Sequence, residues 1–326
     1  MAPALVRLAL RRAIREVRYV RPVPFGRATG LVRDVYRRLE RDFGMLAPPV
    51  ALHSPSPAVL AASWVMLRES LVAAGETSRA DREIVATLVS RGNSCPYCVE
   101  VHGMALESLG RSSEAAAIAE GRPVADPLAG PLSPGARSEL TAVAFTFHYL
   151  NRVVSVFLGP SPLPSSVPDS ARAKAKAVLG RFLRPVTGAS PGESLDLLPV
   201  GSRDFAWAAG NPVVEDAFSR VSSVFDALAV PSVVREVVDR ELSTWDCSPP
   251  GLSRSWVDAF DDPAVRLALV VAKAPYQVDD ALVAAAGLGD RELVELVGWA
   301  SFTAAARAVS LSSVRAVEGK AESTAD

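Results

Sequence analysis

Cysteine and histidine are scarce in this chain, with three of each among 326 residues. Three cysteines cannot form a disulfide framework, which excludes the class of small secreted domains that disulfides hold together. Long hydrophobic runs are also missing: the longest candidate, at 58–67, has about half of the ~18 residues that a membrane-spanning helix needs. Nor does the N-terminal sequence contain the long apolar block and small-residue cleavage site of a secretory signal. We therefore expect a cytoplasmic protein in a reducing compartment, without a transmembrane helix.

Net charge is small as well, −1 over the whole chain, but it is unevenly distributed. Residues 1–42 contain eleven arginines and four acidic residues, a net charge of +7, so that the rest of the chain carries −8. Such a basic arm could contact an anionic membrane surface, nucleic acid or an acidic partner. Its apolar residues recur at helical spacing, which is equally typical of a helix packed on its own protein. We expect the packed helix, with peripheral membrane contact as the weaker alternative. No nucleic acid is expected, because the arm lacks a basic surface interleaved with aromatic residues.

The composition predicts a folded protein, since 49% of the residues are apolar and 22% are charged. Apolar residues mostly recur at intervals of three and four, which indicates an all-α protein. Only Val153–Leu158 has a strand-like composition, and we assign it to a helix because no breaker separates it from the helical pattern before it. The predicted helices cover residues 3–18, 28–43, 56–74, 78–91, 95–109, 112–120, 134–157, 168–183, 212–228, 231–243, 253–259, 263–273, 278–286 and 290–312.

Proline, glycine and serine cluster in three segments that are typical of loops or linkers, at 121–135, 159–170 and 184–202. On this basis the chain is divided into four parts. These are a basic N-terminal helical arm at 1–42, a first helical unit at 43–160, a linker region at 161–203 and a second helical unit at 204–326.

The two units share a faint internal repeat. Pro96 and Tyr97, followed by CVEVHGMALESLG, match Pro275 and Tyr276, followed by QVDDALVAAAGLG; further on, FTFHYLNRVV matches FTAAARAVSL in the same order. We therefore predict two tandem related units, the second a degenerate copy of the first. The residues of the second unit that align with the thiols and imidazole described next cannot do their chemistry, so one active site per chain is expected; these residues are Ala274, Gln277 and Ala281.

The first unit contains the pattern E-x11-C-x2-C-x3-H, formed by Glu83, Cys95, Cys98 and His102. With Cys95 as the N-cap and Pro96 as the first helical residue, the two thiols and the imidazole fall within ~60° of one another on one helix face. The partial positive charge of a helix N-terminus lowers thiol pKa values, which favours a reactive thiol. His102 lies one turn beyond Cys98 and can take its proton. Glu83 lies on the preceding predicted helix, and its carboxylate can return to orient the imidazole.

Other interpretations of these residues remain open. Two cysteines and a histidine could bind structural zinc, with Glu83 or His148 as the fourth ligand, or the cysteines could be buried and inert. His148 and Asn151 lie on a predicted helix that could face the dithiol, either as pocket residues or as ordinary helix contacts. Cys247 has no cysteine, histidine or metal-like spacing around it, so we expect a thiol without a role.

The pattern from Glu83 to His102 resembles the signature of the AhpD-like, or carboxymuconolactone decarboxylase, superfamily of small all-helical proteins, in its alkyl hydroperoxidase branch. The resemblance covers most of the chain loosely, and its specific part is about twenty residues. It implies an all-α, AhpD-like helical fold and a homo-oligomer. Tyr97 departs from the pattern, since some relatives have a second histidine between the cysteines.

The resemblance also implies a mechanism. Cys98 would attack the peroxide oxygen and become a sulfenic acid, Cys95 would resolve it to a disulfide, and His102 and Glu83 would relay the proton. The implied reductant is a dihydrolipoyl group on a partner protein, with no metal or other cofactor. Helix-end geometry by itself favours acidity at Cys95, the N-cap, whereas the resemblance makes Cys98 the nucleophile.

Two functions follow as hypotheses: a thiol-dependent hydroperoxidase, or dithiol-disulfide oxidoreductase, and a non-enzymatic redox sensor or interaction protein switched by the Cys95–Cys98 disulfide. True lactone decarboxylation fits poorly, because that branch of the superfamily does not depend on a cysteine pair.

Overall fold

The computed structural model describes residues 11, 13–163, 167–182 and 189–323. Within these ranges the chain is all-helical and contains no β-strand, so the predicted fold class is confirmed. The α-helices are α1 (Gly30–Asp42), α2 (Pro48–Ala51), α3 (Pro57–Leu67), α4 (Arg79–Gly92), α5 (Pro96–Ser108), α6 (Ser112–Ala119), α7 (Pro134–Phe157), α8 (Asp169–Phe182), α9 (Pro212–Asp226), α10 (Ser232–Ser243), α11 (Pro263–Lys273), α12 (Asp280–Ala286) and α13 (Asp290–Ser323).

Proline determines where many of these helices begin. Its fixed φ suits the first helical position, where a missing N–H donor costs nothing because that group has no partner within the helix. Among the described residues, six α-helices start in this way, at Pro48, Pro57, Pro96, Pro134, Pro212 and Pro263. Polar N-caps support several starts. Asn211, for example, accepts hydrogen bonds from the first backbone N–H groups of α9, and Asp262 does the same at α11.

Most predicted helix boundaries lie within two residues of the observed ones, when the π-helical turn Arg68–Val72 is counted with α3. The strand-like segment Val153–Leu158 continues α7 to Phe157, as predicted. The predicted helix at 290–312 is too short, since α13 continues to Ser323. The four-residue helix α2 was not predicted, because a single turn is too short to show a periodicity.

The prediction of a helix at 253–259 is wrong. Only a 3-10 turn forms there, at Ser255–Val257. Arg266 donates to the backbone carbonyls of Asp258 and Phe260, which ends the turn. A segment of this length is below the size at which helix propagation offsets nucleation, so these competing hydrogen bonds decide its conformation.

The helix predicted at 3–18 falls largely outside the described residues. Its described part forms a 3-10 turn, Ala13–Glu16, and the chain then leaves the helical conformation. Arginines of the basic arm bind the protein itself: Arg11 pairs with Glu40 at 2.6 Å, and Arg18 donates to the carbonyl oxygen of Val156 at 2.9 Å. These two arginines of the arm thus have partners within the protein.

Helices α7 and α13 pack against each other in the centre of the protein. One hydrophobic cluster extends from Ile14 to Val309 and includes residues of both predicted units. Within the described ranges, α7 is the one helix long and apolar enough to cross a membrane, but 83% of its most apolar stretch is buried inside the protein, as for a core helix. The division into units and their duplication stay predictions.

Part of the predicted linker region is anchored to the first unit by buried charges. Arg68, in the π-helical turn after α3, is fully buried and contacts Asp42, Glu69 and Glu193. The Glu69 carboxylate accepts a hydrogen bond from the Ser194 hydroxyl at 2.6 Å. The buried charges of Arg68 and Glu69 therefore have partners, without which their burial would destabilise the fold.

Candidate active site

The two cysteines of the pattern meet where α5 begins. Cys95 is the N-cap, Pro96 is the first helical residue, and the Cys95 N–H donates to the carbonyl of Ser90 at 3.0 Å. Ser94 takes a left-handed conformation, with φ of 53°, and so turns the chain from α4 into α5. The Cys95 and Cys98 sulfurs lie 2.7 Å apart, in hydrogen-bonding contact, and both are free thiols.

Cys98 is buried, and burial controls its ionisation. Desolvation raises the pKa of the Cys98 thiol well above its ordinary value, the neighbouring Cys95 adds to the rise, and a hydrogen bond from Asn151 opposes it. This rise in the pKa is opposite to the fall expected from the helix N-terminus. Burial destabilises the thiolate more than the partial positive charge of the helix end stabilises it. Cys98 therefore rests as a thiol and needs a base in order to react.

His102, one helical turn after Cys98 and lining the same pocket, is the candidate for this base. His102 Nδ1 lies 2.6 Å from Glu83 Oε2, because α4 and α5 run back along each other after the turn at 93–94. Glu83 also accepts from Arg79, one helical turn earlier, at 2.7–2.8 Å. Burial acts to raise the pKa of Glu83, but Arg79 and His102 outweigh it and lower this pKa from 4.5 to about 2. The ionised carboxylate accepts the Nδ1–H of His102, which leaves Nε2 as the basic nitrogen.

Cys98 and His102 both line one apolar pocket, which holds about 60 Å³ of solvent-accessible space. Phe147 packs edge-on against the imidazole, with ring centroids 4.5 Å apart. Tyr97 is a further lining residue, and burial raises its pKa well above the ordinary value, so that it stays protonated. The remaining lining residues are apolar: Phe43, Met45, Ala47, Pro48, Pro49, Val50, Leu67, Val101, Leu150, Val154, Pro162 and Leu179. Such a site is suited to the organic part of a small substrate.

A polar network from α7 supports the dithiol. Asn151 donates from Nδ2 to the Ser90 hydroxyl at 3.0 Å and accepts at Oδ1 from Asn93 Nδ2 at 2.9 Å. The same side chain hydrogen-bonds Cys98. His148 lies 3.1 Å from Asn93 Nδ2, and its pKa is lowered to about 3 by burial and by Arg152, so the ring is neutral and accepts. Asn151 is thus in contact with the dithiol, whereas His148 is two hydrogen bonds further away, through Asn93.

Sequence reasoning missed several of these neighbours. Arg79 had a signal, because it precedes Glu83 by four residues on one helix face. Asn93, Ser90 and Phe147 had none, since their contacts with the site depend on how α4 and α7 pack. Cys247 lines neither of the two cavities at the dithiol. Across the described ranges, no three His, Cys, Asp or Glu side chains are grouped as a metal ion would need.

Comparison with known proteins identifies the family of this chain. The model of the Carboxymuconolactone decarboxylase family matches residues 58–130, the segment that contains Glu83, both cysteines and His102. The chain belongs to this family, in the AhpD-like superfamily, as predicted. It is 34% identical over 323 residues to the alkyl hydroperoxide reductase Rv2159c of Mycobacterium tuberculosis, covering 89% of this chain and 93% of that protein. No solved structure matches it significantly.

Two buried histidines predict how stability depends on pH. Burial lowers the pKa of His53 from 6.5 to about 4 and that of His148 from 6.5 to about 3. Below pH 6.5 the unfolded chain protonates both rings while the native state keeps them neutral, so stability falls as pH falls. From pH 7 to 5 we expect a loss on the order of 4 kcal/mol, about 2 kcal/mol per ring. Urea unfolding at both pH values measures it.

His148→Asn removes one titrating ring and should reduce that pH-dependent loss by about half. Carboxylates with lowered pKa values, such as Glu83, titrate below this window and do not obscure it. Equal unfolding free energies at pH 7 and pH 5 for the unsubstituted chain would contradict the assignment of neutral buried rings.

Proposed function

We propose that this protein is a thiol-dependent hydroperoxide reductase that works through the Cys95–Cys98 pair. The observation that carries the proposal is one arrangement: two thiols 2.7 Å apart, next to a His102–Glu83 pair, with Cys98 and His102 lining an apolar pocket. The name of the mycobacterial relative supports the same activity. Buried inert cysteines need neither a carboxylate-oriented imidazole nor a pocket.

In the first step, His102 Nε2 accepts the Cys98 proton, directly or through a water in the pocket, while Glu83 stabilises the imidazolium. The Cys98 sulfur then attacks the terminal peroxide oxygen, and the O–O bond breaks. The alkoxide takes the proton back from His102 and leaves as an alcohol. Cys98 is oxidised to the sulfenic acid, and the substrate is reduced by two electrons.

In the second step, the Cys95 sulfur attacks the Cys98 sulfenic acid. A disulfide forms and water leaves, with the proton of Cys95 and the hydroxyl of the sulfenic acid. The contact between the two sulfurs lets this happen with little backbone movement, because a disulfide needs sulfurs ~2.05 Å apart. A dithiol reductant, such as a lipoyl group on a partner protein, returns the pair to thiols and closes the cycle.

The test is steady turnover. Purified protein with excess dihydrolipoamide and an organic hydroperoxide should consume many equivalents of peroxide per chain. A redox sensor that has no recycling partner would stop after about one equivalent, since a dithiol supplies two electrons. Turnover no faster than in the absence of protein would refute the proposed enzyme.

A mass measurement identifies the pair. Peroxide treatment should lower the protein mass by two hydrogens, and digestion without reduction should place the change in the peptide that contains Cys95 and Cys98. If instead the change involved Cys247, or the mass rose by oxygen atoms without a disulfide, the two-cysteine cycle would be wrong.

The setting of this activity is part of the proposal. We place it in a reducing cytoplasm, where the dithiol is kept ready. Assembly as a homo-oligomer is proposed from the superfamily, and light scattering of the purified chain tests it. We do not propose membrane contact through the basic arm, because Arg11 pairs with Glu40 and Arg18 donates to the carbonyl of Val156 within the protein.

A further inference from the structure

The start of α5 lies between two separate cavities. Cys98 lines the apolar pocket, whereas Cys95 lines a second, more polar cleft of about 530 Å³. The two cavities have no lining residue in common. Besides Cys95, the cleft is lined by Arg91, Ser94, Pro96, Val99, Glu100, Gly103, Met104, Glu107, Ala115, Ala116, Ala119 and Lys176.

Helix α8 lies along the boundary between the two cavities. Leu179 of α8 lines the apolar pocket, and Lys176, almost one turn earlier, lines the cleft and pairs with Glu100 of α5 at 2.8 Å. The close approach at Gly180, whose position for a Cβ lies 3.7 Å from the carbonyl oxygen of Met104, brings α8 directly onto α5. Two molecules could therefore reach the dithiol from different sides.

Gly103 opens the cleft. It lies in the middle of α5, where glycine is about 1 kcal/mol less favourable than alanine. A Cβ at this position would meet no heavy atom within 4 Å, so the missing side chain leaves free space above the helix. Gly103 follows Val99 by four residues and Pro96 by seven, on the face that leads to Cys95.

Because Cys95 lines the cleft, a thiol that enters there attacks the Cys95 sulfur of the disulfide. When a thiol attacks the Cys95 sulfur of the disulfide, the S–S bond breaks and Cys98 leaves as a thiolate. Burial raises the pKa of the Cys98 thiol, so the departing sulfur takes up the proton that the attacking thiol releases, and the hydrogen bond of Asn151 stabilises the thiolate until it does. A second thiol of the reductant then displaces the mixed disulfide from Cys95, so a dithiol supplies both electrons and leaves oxidised.

We infer that the two half-reactions use opposite sides of the dithiol: the hydroperoxide reaches Cys98 through the apolar pocket, and the thiol reductant reaches Cys95 through the cleft over Gly103. The inference rests on the proposed function for its first half. Its second half concerns only the disulfide and is tested independently.

The experiment fills each cavity in turn with a larger side chain on α5. Gly103→Ala, Gly103→Leu and Gly103→Phe place increasing volume in the cleft, and each substitution also favours the helix. Val101→Phe fills the apolar pocket instead, because Val101 lines it. Stopped-flow measurement of both half-reactions, oxidation by cumene hydroperoxide and reduction by dihydrolipoamide, is followed through the change in tryptophan fluorescence.

Reduction should slow progressively from Gly103→Ala to Gly103→Phe, by roughly tenfold or more for phenylalanine, since thiol–disulfide exchange depends on access. Oxidation of the same variants should stay within about twofold of the unsubstituted protein. Val101→Phe should give the opposite pattern. Unchanged reduction in Gly103→Phe, or slower reduction in Val101→Phe, would overturn the inference.

A disulfide formed with diamide, without any peroxide, separates this inference from the proposed function. If hydroperoxide does not oxidise the pair, the proposed function fails, yet the diamide-formed disulfide still reports whether reduction depends on position 103. Slow reduction in Gly103→Phe supports the cleft in either case, and unchanged reduction refutes it.

Discussion

Cys98→Ser should reduce peroxide turnover to the level measured without protein. A serine hydroxyl cannot be oxidised to the equivalent of a sulfenic acid, so no base or pocket compensates for the lost sulfur. Cys95→Ser should behave differently: Cys98 still reacts, but its sulfenic acid has no partner and accumulates after about one equivalent of peroxide. Turnover assays with dihydrolipoamide, together with mass spectrometry after trapping of the sulfenic acid, distinguish the two variants.

Cys247→Ser is the matched control, since it removes a thiol that lines neither cavity. It should retain turnover. Undiminished turnover in Cys98→Ser would refute the role of Cys98 as nucleophile, and accumulation of a sulfenic acid on Cys95 in that variant would exchange the two roles.

Glu83→Gln should have the next largest effect, a fall in the oxidation rate on the order of 10²–10⁴. The amide cannot stabilise the imidazolium of His102, and it leaves the Arg79 guanidinium without its charged partner. Rapid-mixing measurement of peroxide-dependent disulfide formation in the absence of reductant isolates this step. His102→Gln should lose a comparable factor, because it removes the base that the buried Cys98 thiol requires.

Both substitutions in the Glu83–His102 pair can also weaken the fold, so a second buried carboxylate serves for comparison. Glu139 pairs with Arg82 at 2.8 Å, with both side chains 4% exposed, and lines neither cavity. Glu139→Gln should lower the unfolding free energy but leave the oxidation rate of the folded protein within a few-fold of normal. Equal losses of rate in Glu83→Gln and Glu139→Gln would mean that Glu83 acts through stability alone.

The spacing of residues along α5 predicted much of the site. Cys95, Pro96 and Cys98 define a helix start and a shared face by periodicity alone, and the structure places the sulfurs of the two cysteines in contact. The contact between Glu83 and His102 was also predictable from local sequence, because the short turn after α4 reverses the chain and places α5 alongside α4. The catalytic roles of these residues stay predictions for the experiments above.

The neighbours on α7 could not be predicted in the same way. Asn151 was one of two candidates on that helix, and the sequence did not distinguish a pocket residue from an ordinary contact. Its hydrogen bonds with Ser90 and Asn93 depend on the rotation of α7 against α4. A rotation of one residue position, about 100°, would turn a different side chain toward Cys98.

The sequence by itself determined most of the helices, their proline starts, and the set of thiols, imidazole and carboxylate, because these depend on local periodicity and short-range spacing. Only the tertiary structure decided the raised pKa of Cys98, the contact from Asn151 and the separation of the two cavities. These properties arise from burial and from contacts between helices far apart in the chain. The physical reason is that desolvation depends on everything packed around a group, which no local pattern of residues contains.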